Sequence, residues 1–301
     1  MTEGVVEKRF HIFGSSCHLL IGSSTTDGIH LVDMAQAELA RLEARYSSFR
    51  PGSIVQEING AAGSGSYTPL DPESHSLFTY VTALWDQSNH LFDPTCRVLV
   101  DCYDSQGRVC VTADQLQAAI KLVDWSKLEI GPRGARLATR GMAINLDTCI
   151  RPYAVDSVRK ILLRNGVTNA LIEMDQDAAC IGRQPDGANW LVGLRYPKGP
   201  RTVVTRLKFN DRGFAMRGNF EQRVNIDGEN FGRALSPVDA QPIPGLLSVA
   251  VIAANCLTAC SAASIARLKT EQAGIRWLEK LGLPWIAIDR ELKCLGPLAP
   301  A

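Results

Sequence analysis

The segment Ser88-Asn89-His90-Leu91-Phe92-Asp93-Pro94-Thr95 ends in a turn and helix-start signal. An aspartate side chain can bond backbone two residues on, and proline pre-sets φ for a turn. Upstream, Asp71-Pro72-Glu73 opens a helix with proline in its first turn, and Leu77, Tyr80, Val81 and Leu84 form its apolar face. Further back, Val32, Ala35, Leu39, Leu42 and Tyr46 recur at helical spacing behind Thr26 or Asp27 as a cap, and Pro51-Gly52 ends the run in a turn. Val5 to Phe13 and Cys17 to Ile21 read as a hairpin about Gly14-Ser15-Ser16. Downstream, short strands are expected over 128–146, then a helix from Pro152 to Leu163 closed by Asn165-Gly166, and a strand from Ala170 to Met174. Trp190 to Phe231 is β-like throughout. A strand from Leu247 to Ala253 leads through small residues to a final helix ending at Leu281, and Trp285 to Ile288 reads as the last strand. The class this predicts is α+β, with mixed β-sheets and packed helices.

With 301 residues, 46% hydrophobic and 21% charged, the composition is that of an ordinary soluble globular protein with a large core. A net charge of +1 argues against nucleic acid and against an anionic membrane surface as partner. No apolar run approaches the roughly 18 residues of a membrane span. The first ten residues mix acid and base and lack a signal peptide's apolar stretch. Nine cysteines, an odd number without zinc-type spacing, point to reduced thiols and a cytoplasmic protein.

Several segments, in order, resemble those of the ApbE family of FAD:protein FMN transferases. Phe92-Asp93-Pro94-Thr95 is similar to that family's Phe-Asp-Pro-Thr signature, and Phe13-Gly14-Ser15 to its Met-Gly-Thr turn. Leu42 to Ser53 with Ile58-Asn59 behind it, Tyr153-Ala154-Val155-Asp156, Gly166 to Leu171 with Asp177, and Asp186 to Leu194 also find counterparts. The resemblance spans residues 13 to 264. It implies an ApbE-like fold with a central ligand cleft, as a single domain over 1–301 or two intimately fused lobes. It also implies FAD, magnesium on its pyrophosphate, and transfer of FMN to a threonine of an acceptor protein. Carried over residue by residue, the cofactor-binding positions are Phe13, Ser48, Phe92, Asp93, Thr95, Asp156 and Asp177, with Arg151, Arg217 and Arg233 bordering the cleft.

The chemistry-bearing positions depart from the family pattern. The histidine position is Arg233, which cannot act as a base. The metal positions are Cys260 and Ser264, and a thiol is the wrong donor for magnesium. Asp147-Thr148 and Asp175-Gln176 replace paired glycines, and Arg151-Pro152 replaces Lys-Gly. Between Arg195 and Arg233, nine Lys/Arg stand against four Asp/Glu, so arginines could hold a phosphate without metal, or simply form a solvated face. Phe92 to Thr95 reads either as a flavin-contacting loop or as a plain turn, and Asp156 and Asp177 either as ligand contacts or as element caps. His90, Asp239 and Cys260 are weaker candidates for the same cleft. The leading expectation is a protein that binds FAD, FMN or another phosphorylated ligand, or a partner protein, without FMN transfer and without magnesium. The alternative is an active, magnesium-dependent FAD:protein FMN transferase or a related cofactor-biosynthesis enzyme, and a purely structural subunit is a third.

Overall fold

The computed structural model describes residues 4–23, 25–104, 108–195, 203–218, 223–226, 229–232, 235–241, 243 and 245–300. The chain begins with β1 (Gly4–Ile12) and β2 (Ser15–Ser23), joined at Phe13-Gly14, both with positive φ as a tight hairpin turn requires. Helices α1 (Thr25–Tyr46), α2 (Ile54–Gly60) and α3 (Pro72–Gln87) follow. The helical stripe read from the sequence is the buried face of α1: Val32, Ala35, Leu39, Leu42 and Tyr46 are all in the core. The expected cap of α1 is displaced, because the helix already runs from Thr25 and Asp27 lies inside its first turn. For α3 the reading holds, with Asp71 at the cap accepting from the Ser74 backbone N–H.

Short helices α4 (Arg97–Val100) and α5 (Ala113–Ile120) precede a ribbon of β3 (Leu128–Gly131) and β4 (Gly134–Leu137). Helix α6 spans Asp147–Arg164, so it starts five residues before Pro152, where a proline start was expected. Strands β5 (Ala170–Met174), β6 (Asp177–Ile181), β7 (Trp190–Arg195), β8 (Val203–Phe209), β9 (Gly213–Gly218), β10 (Arg223–Ile226) and β11 (Glu229–Gly232) come next. The chain ends with β12 (Ser248–Ala253), α7 (Cys256–Arg267), α8 (Glu271–Leu281), β13 (Trp285–Ile288) and a two-residue β14 (Cys294–Leu295). The last strand is therefore β14, not Trp285 to Ile288, and the expected final helix is two helices.

The α+β class is the one observed. The main sheet has eight strands in the order β1-β2-β5-β6-β9-β12-β13-β14, antiparallel at every junction. Strand alternation gives it two buried faces. One packs Ile172, Ala179, Ala215, Val249 and Val251 toward the helices, and the other packs Leu171, Cys180, Phe214, Met216 and Ile252 with apolar residues of the β7–β8 ribbon. Burial on both sides fixes the register, since a one-residue slip would exchange the two faces. None of the nine cysteines is in a disulfide, and no helix among the described residues is long and apolar enough to cross a membrane.

Candidate functional site

The β5–β6 turn, Asp175-Gln176, stands beside the N-terminus of α6, and a cleft of about 670 Å³ opens between them. That volume suits a ligand of nucleotide size. Asp147, Thr148 and Arg151 line it from α6, Glu173 to Ala178 from the β5–β6 hairpin, Val192 and Gly193 from β7, and Phe214, Met216 and Arg217 from β9. Asp175 has a φ of 52°, the left-handed region that favours glycine. The resemblance puts a glycine here, so the backbone bend coexists with a side chain that now projects. Ser16 holds this turn in place: its carbonyl accepts from the Asp175 N–H at 3.1 Å, and its N–H donates to Asp175 Oδ1 at 3.2 Å.

Strand parity explains the centre of the site. Asp177 faces Ala215 across the β6–β9 pairing, and Arg217 lies two residues further along β9, so both project to the helix face. There they form an ion pair, Asp177 buried and Arg217 partly exposed: Nη2 donates to Asp177 Oδ2 at 2.9 Å, and Nη1 stands 2.8 Å from Oδ1, which accepts no hydrogen bond among the described residues. Nη1 donates to the Met216 carbonyl at 2.9 Å, and Nη2 also to Cys260 Sγ on α7 at 2.7 Å. Cys260 in turn donates to the Thr148 carbonyl at 3.2 Å. That carbonyl is available because its helical partner four residues on is Pro152, which has no N–H. The helix thus continues through the proline with its orphaned acceptor met by a thiol.

Burial pushes the Asp177 carboxyl above its usual range, opposed by Arg217 beside it. Burial alone would lower the Arg217 guanidinium, yet Asp177 and Cys260 hold it above its ordinary value, so it stays charged. Burial also pushes the Cys260 thiol up to about 11 against the pull of Arg217, and at neutral pH it is a neutral S–H. These residues do not fit magnesium. The two positions the resemblance assigns to it offer a neutral thiol and a serine hydroxyl, 3.7 Å apart, with a guanidinium already bonded to the thiol. Among the described residues, no group of three or more His, Cys, Asp or Glu side chains could hold a metal ion.

Arg151 is differently placed. It lines the cleft, comes only within 4.0 Å of Asp175, and its buried Nε has no hydrogen-bond partner among the described residues. It is the guanidinium best able to accept an anionic group, with the positive end of α6 beside it. Asp147 already sits in that first turn, its N–H capped by Asn145 Oδ1 at 2.6 Å, and so takes part of the charge that a phosphate would seek.

Of the positions singled out in the sequence, the cleft brings together Arg151, Asp177 and Arg217, with Cys260 and Ser264 just beneath. Arg233 lies outside the described residues. Phe13 is buried in the core at the β1–β2 turn, its N–H donating to Glu43. Ser48 is buried beside a separate cavity. The Asp93 carboxylate accepts from the Thr95 and Trp125 N–H groups and from Trp85 Nε1. The Thr95 hydroxyl accepts from the Asp124 N–H, and Phe92 is buried in the core. Phe13, Phe92, Asp93 and Thr95 thus have structural tasks, the Ser48 hydroxyl is buried without a hydrogen-bond partner among the described residues, and none of the five lines the cleft. Asp156 is buried and accepts from the N–H groups of Cys256 and Leu257, at 2.8 Å each. His90 stacks on Trp85 with ring centroids 3.6 Å apart, and Asp239 lines a smaller cavity with Asn89 and Leu91. The reading overlooked Glu173, Val192, Gly193, Phe214 and Met216 as lining residues. Alternation about Asp177 and the Gly-flanked strands was the signal that could have found them.

The ApbE family matches residues 13–287. An FAD:protein FMN transferase of Vibrio cholerae is 24% identical over 263 residues, covering 84% of this chain and 78% of that protein. The crystal structure of the ApbE protein of Thermotoga maritima superposes with a TM-score of 0.85 at 20% identity, covering 97% of each chain. The flavin transferase ApbE of Vibrio cholerae gives a TM-score of 0.86 at 19% identity, covering 99% of this chain and 98% of that one. At such identities the structures speak to the fold alone.

Proposed function

This chain belongs to the ApbE family, and we propose that its cleft binds a flavin nucleotide, or a phosphorylated ligand like it, without transferring FMN to a protein. The observation that carries the binding half is Arg151, a guanidinium loosely paired at the mouth of a nucleotide-sized cleft. Its planar donor set matches a phosphate oxygen pair, and a helix N-terminus reinforces it. What supports the absence of transfer is the chemistry around Asp177. Phosphoryl transfer needs charge neutralised on the leaving group and a base for the attacking hydroxyl. Here Asp177 is engaged by Arg217, Cys260 holds its proton, and the cleft's other carboxylates are partly committed: Glu173 to His18 Nδ1 at 3.0 Å, Asp175 to the Ser16 N–H, and Asp147 to Asn145 Nδ2 at 3.2 Å.

Two measurements on one preparation test this. Titrating FAD, FMN and ADP against the protein by flavin fluorescence or calorimetry should give saturable binding, weakened about tenfold by Arg151→Ala, the worth of a charge-assisted hydrogen bond. Incubation with FAD, magnesium and a threonine-bearing acceptor peptide should leave the peptide mass unchanged. An FMN adduct on the peptide would restore the transferase reading, and failure of all three nucleotides to bind would remove the cleft assignment.

A further inference from the structure

We propose that the Arg217 guanidinium is the resident cation of this cleft and fills the place where the resemblance puts a divalent metal, so that the protein neither needs nor accepts one there. The inference concerns the same cleft as the flavin reading but does not depend on flavin binding.

One guanidinium ties the cluster together: it donates hydrogen bonds to Asp177 Oδ2, to the Met216 carbonyl and to Cys260 Sγ, and stands at ion-pair distance from Asp177 Oδ1. The thiol that meets it is the very side chain at the metal position, and its proton is directed to the Thr148 carbonyl. Arg217 therefore stands where a cation would have to stand to touch both Asp177 and residue 260. In direct contact are one carboxylate, one guanidinium and one neutral thiol, and Arg151 and Asp175 act on Asp177 and Arg267 on Arg217 from further off. Adding a dication would place two further positive charges against a carboxylate that is already paired, in a site largely shielded from water. Expelling Arg217 to make room would leave one carboxylate, a thiol, a hydroxyl and a carbonyl, a set too poor in hard oxygen for magnesium.

The position of Arg217 is built in by the fold. Even-numbered residues of β9, Phe214 and Met216, pack toward the ribbon, so residue 217 must emerge on the helix face under α7. Pro152 frees the Thr148 carbonyl, which orients the thiol so that its lone pairs, and not its proton, face the guanidinium.

Manganese serves as the probe, in the absence of any nucleotide. Wild-type protein should show no saturable Mn²⁺ site by electron paramagnetic resonance or calorimetry, and about 10 mM magnesium should leave its melting temperature unchanged, because a ligand that does not bind the native state cannot stabilise it. The double variant Arg217→Met with Cys260→Asp, folded by circular dichroism, should gain one Mn²⁺ site at least tenfold tighter than anything in wild type. Cys260→Asp alone, which keeps the guanidinium, should not. A stoichiometric wild-type Mn²⁺ site that disappears in Ser264→Ala would overturn the proposal, as would a folded double variant that gains none. The wild-type measurement decides even where the double variant fails to fold.

Discussion

Asp156 illustrates how one side chain can look like a ligand contact and act as a cap. It lies in the middle of α6, yet its two oxygens receive the first N–H groups of α7, from Cys256 and Leu257. Those donors have no partner within their own helix, and a carboxylate at that end is also favoured by the helix dipole. The side chain of Asn255, the cap of α7, satisfies the Thr258 N–H and leaves these two donors to Asp156. Burial pushes the Asp156 carboxyl up, while the two backbone donors pull the other way. Replacing it by alanine strands two buried donors, so Asp156→Ala should cost about 2–4 kcal/mol in urea denaturation. Asp156→Asn, which retains one acceptor oxygen, should cost roughly half as much. A folded Asp156→Ala protein of unchanged stability but weakened nucleotide binding would instead make this residue a ligand contact.

At the scale of elements, the seating of α7 on β9 determines where residue 260 meets residue 217. Gly213 makes that seating possible. A Cβ at this position would stand 2.1 Å from both the Asn255 carbonyl carbon and the Cys256 nitrogen, which are backbone atoms at the start of α7 and cannot turn aside. Gly213→Ala must therefore lift the helix N-terminus from the sheet. An overpacking cost of about 3 kcal/mol is expected, and a chain of this size should lose roughly 5–10 °C of melting temperature. The same displacement would part Cys260 from Arg217, so the melting loss should be accompanied by faster reaction of Cys260 with a thiol reagent. A variant as stable and as unreactive as wild type would show that α7 does not rest on β9 in this way. Helix α6 makes a related point about what sequence can convey. Proline is a favourable first helical residue, which is why the reading begins at Pro152, whereas the observed helix runs through it because a cysteine 108 positions later meets the orphaned carbonyl.

For the molecule as a whole, local signals sufficed for most elements, and α1 and α3 were legible because their apolar stripes report their own burial. The site was legible only by position. Arg151, Asp177 and Arg217 could be named, but the pairing of Asp177 with Arg217 rests on β6 lying next to β9, a crossover that no local pattern encodes. Long-range ion pairs also tie the helical layer together, and one of them sets how the fold responds to acid. Arg41 of α1 holds Glu38 at 2.8 Å and reaches Glu73 of α3 at 2.7 Å, while Tyr153 and Ser157 of α6 donate to Glu73 and Glu38. The Arg41 guanidinium, foremost among several causes, holds both carboxyls below their ordinary value of 4.5. A depressed carboxyl stabilises the fold above its unfolded value and loses that contribution as pH falls through the depressed one. The network should thus contribute fully at neutral pH and fade below 4.5. Because Arg41 is half exposed, solvent screening limits the worth of the network to about 1 kcal/mol. Arg41→Met should be less stable than wild type by that amount near neutral pH, and the two denaturation curves should converge by about pH 3 as both glutamates protonate. Should the gap stay constant from neutral to acid, the lost stability would lie in the packing of the arginine stem and not in its charge.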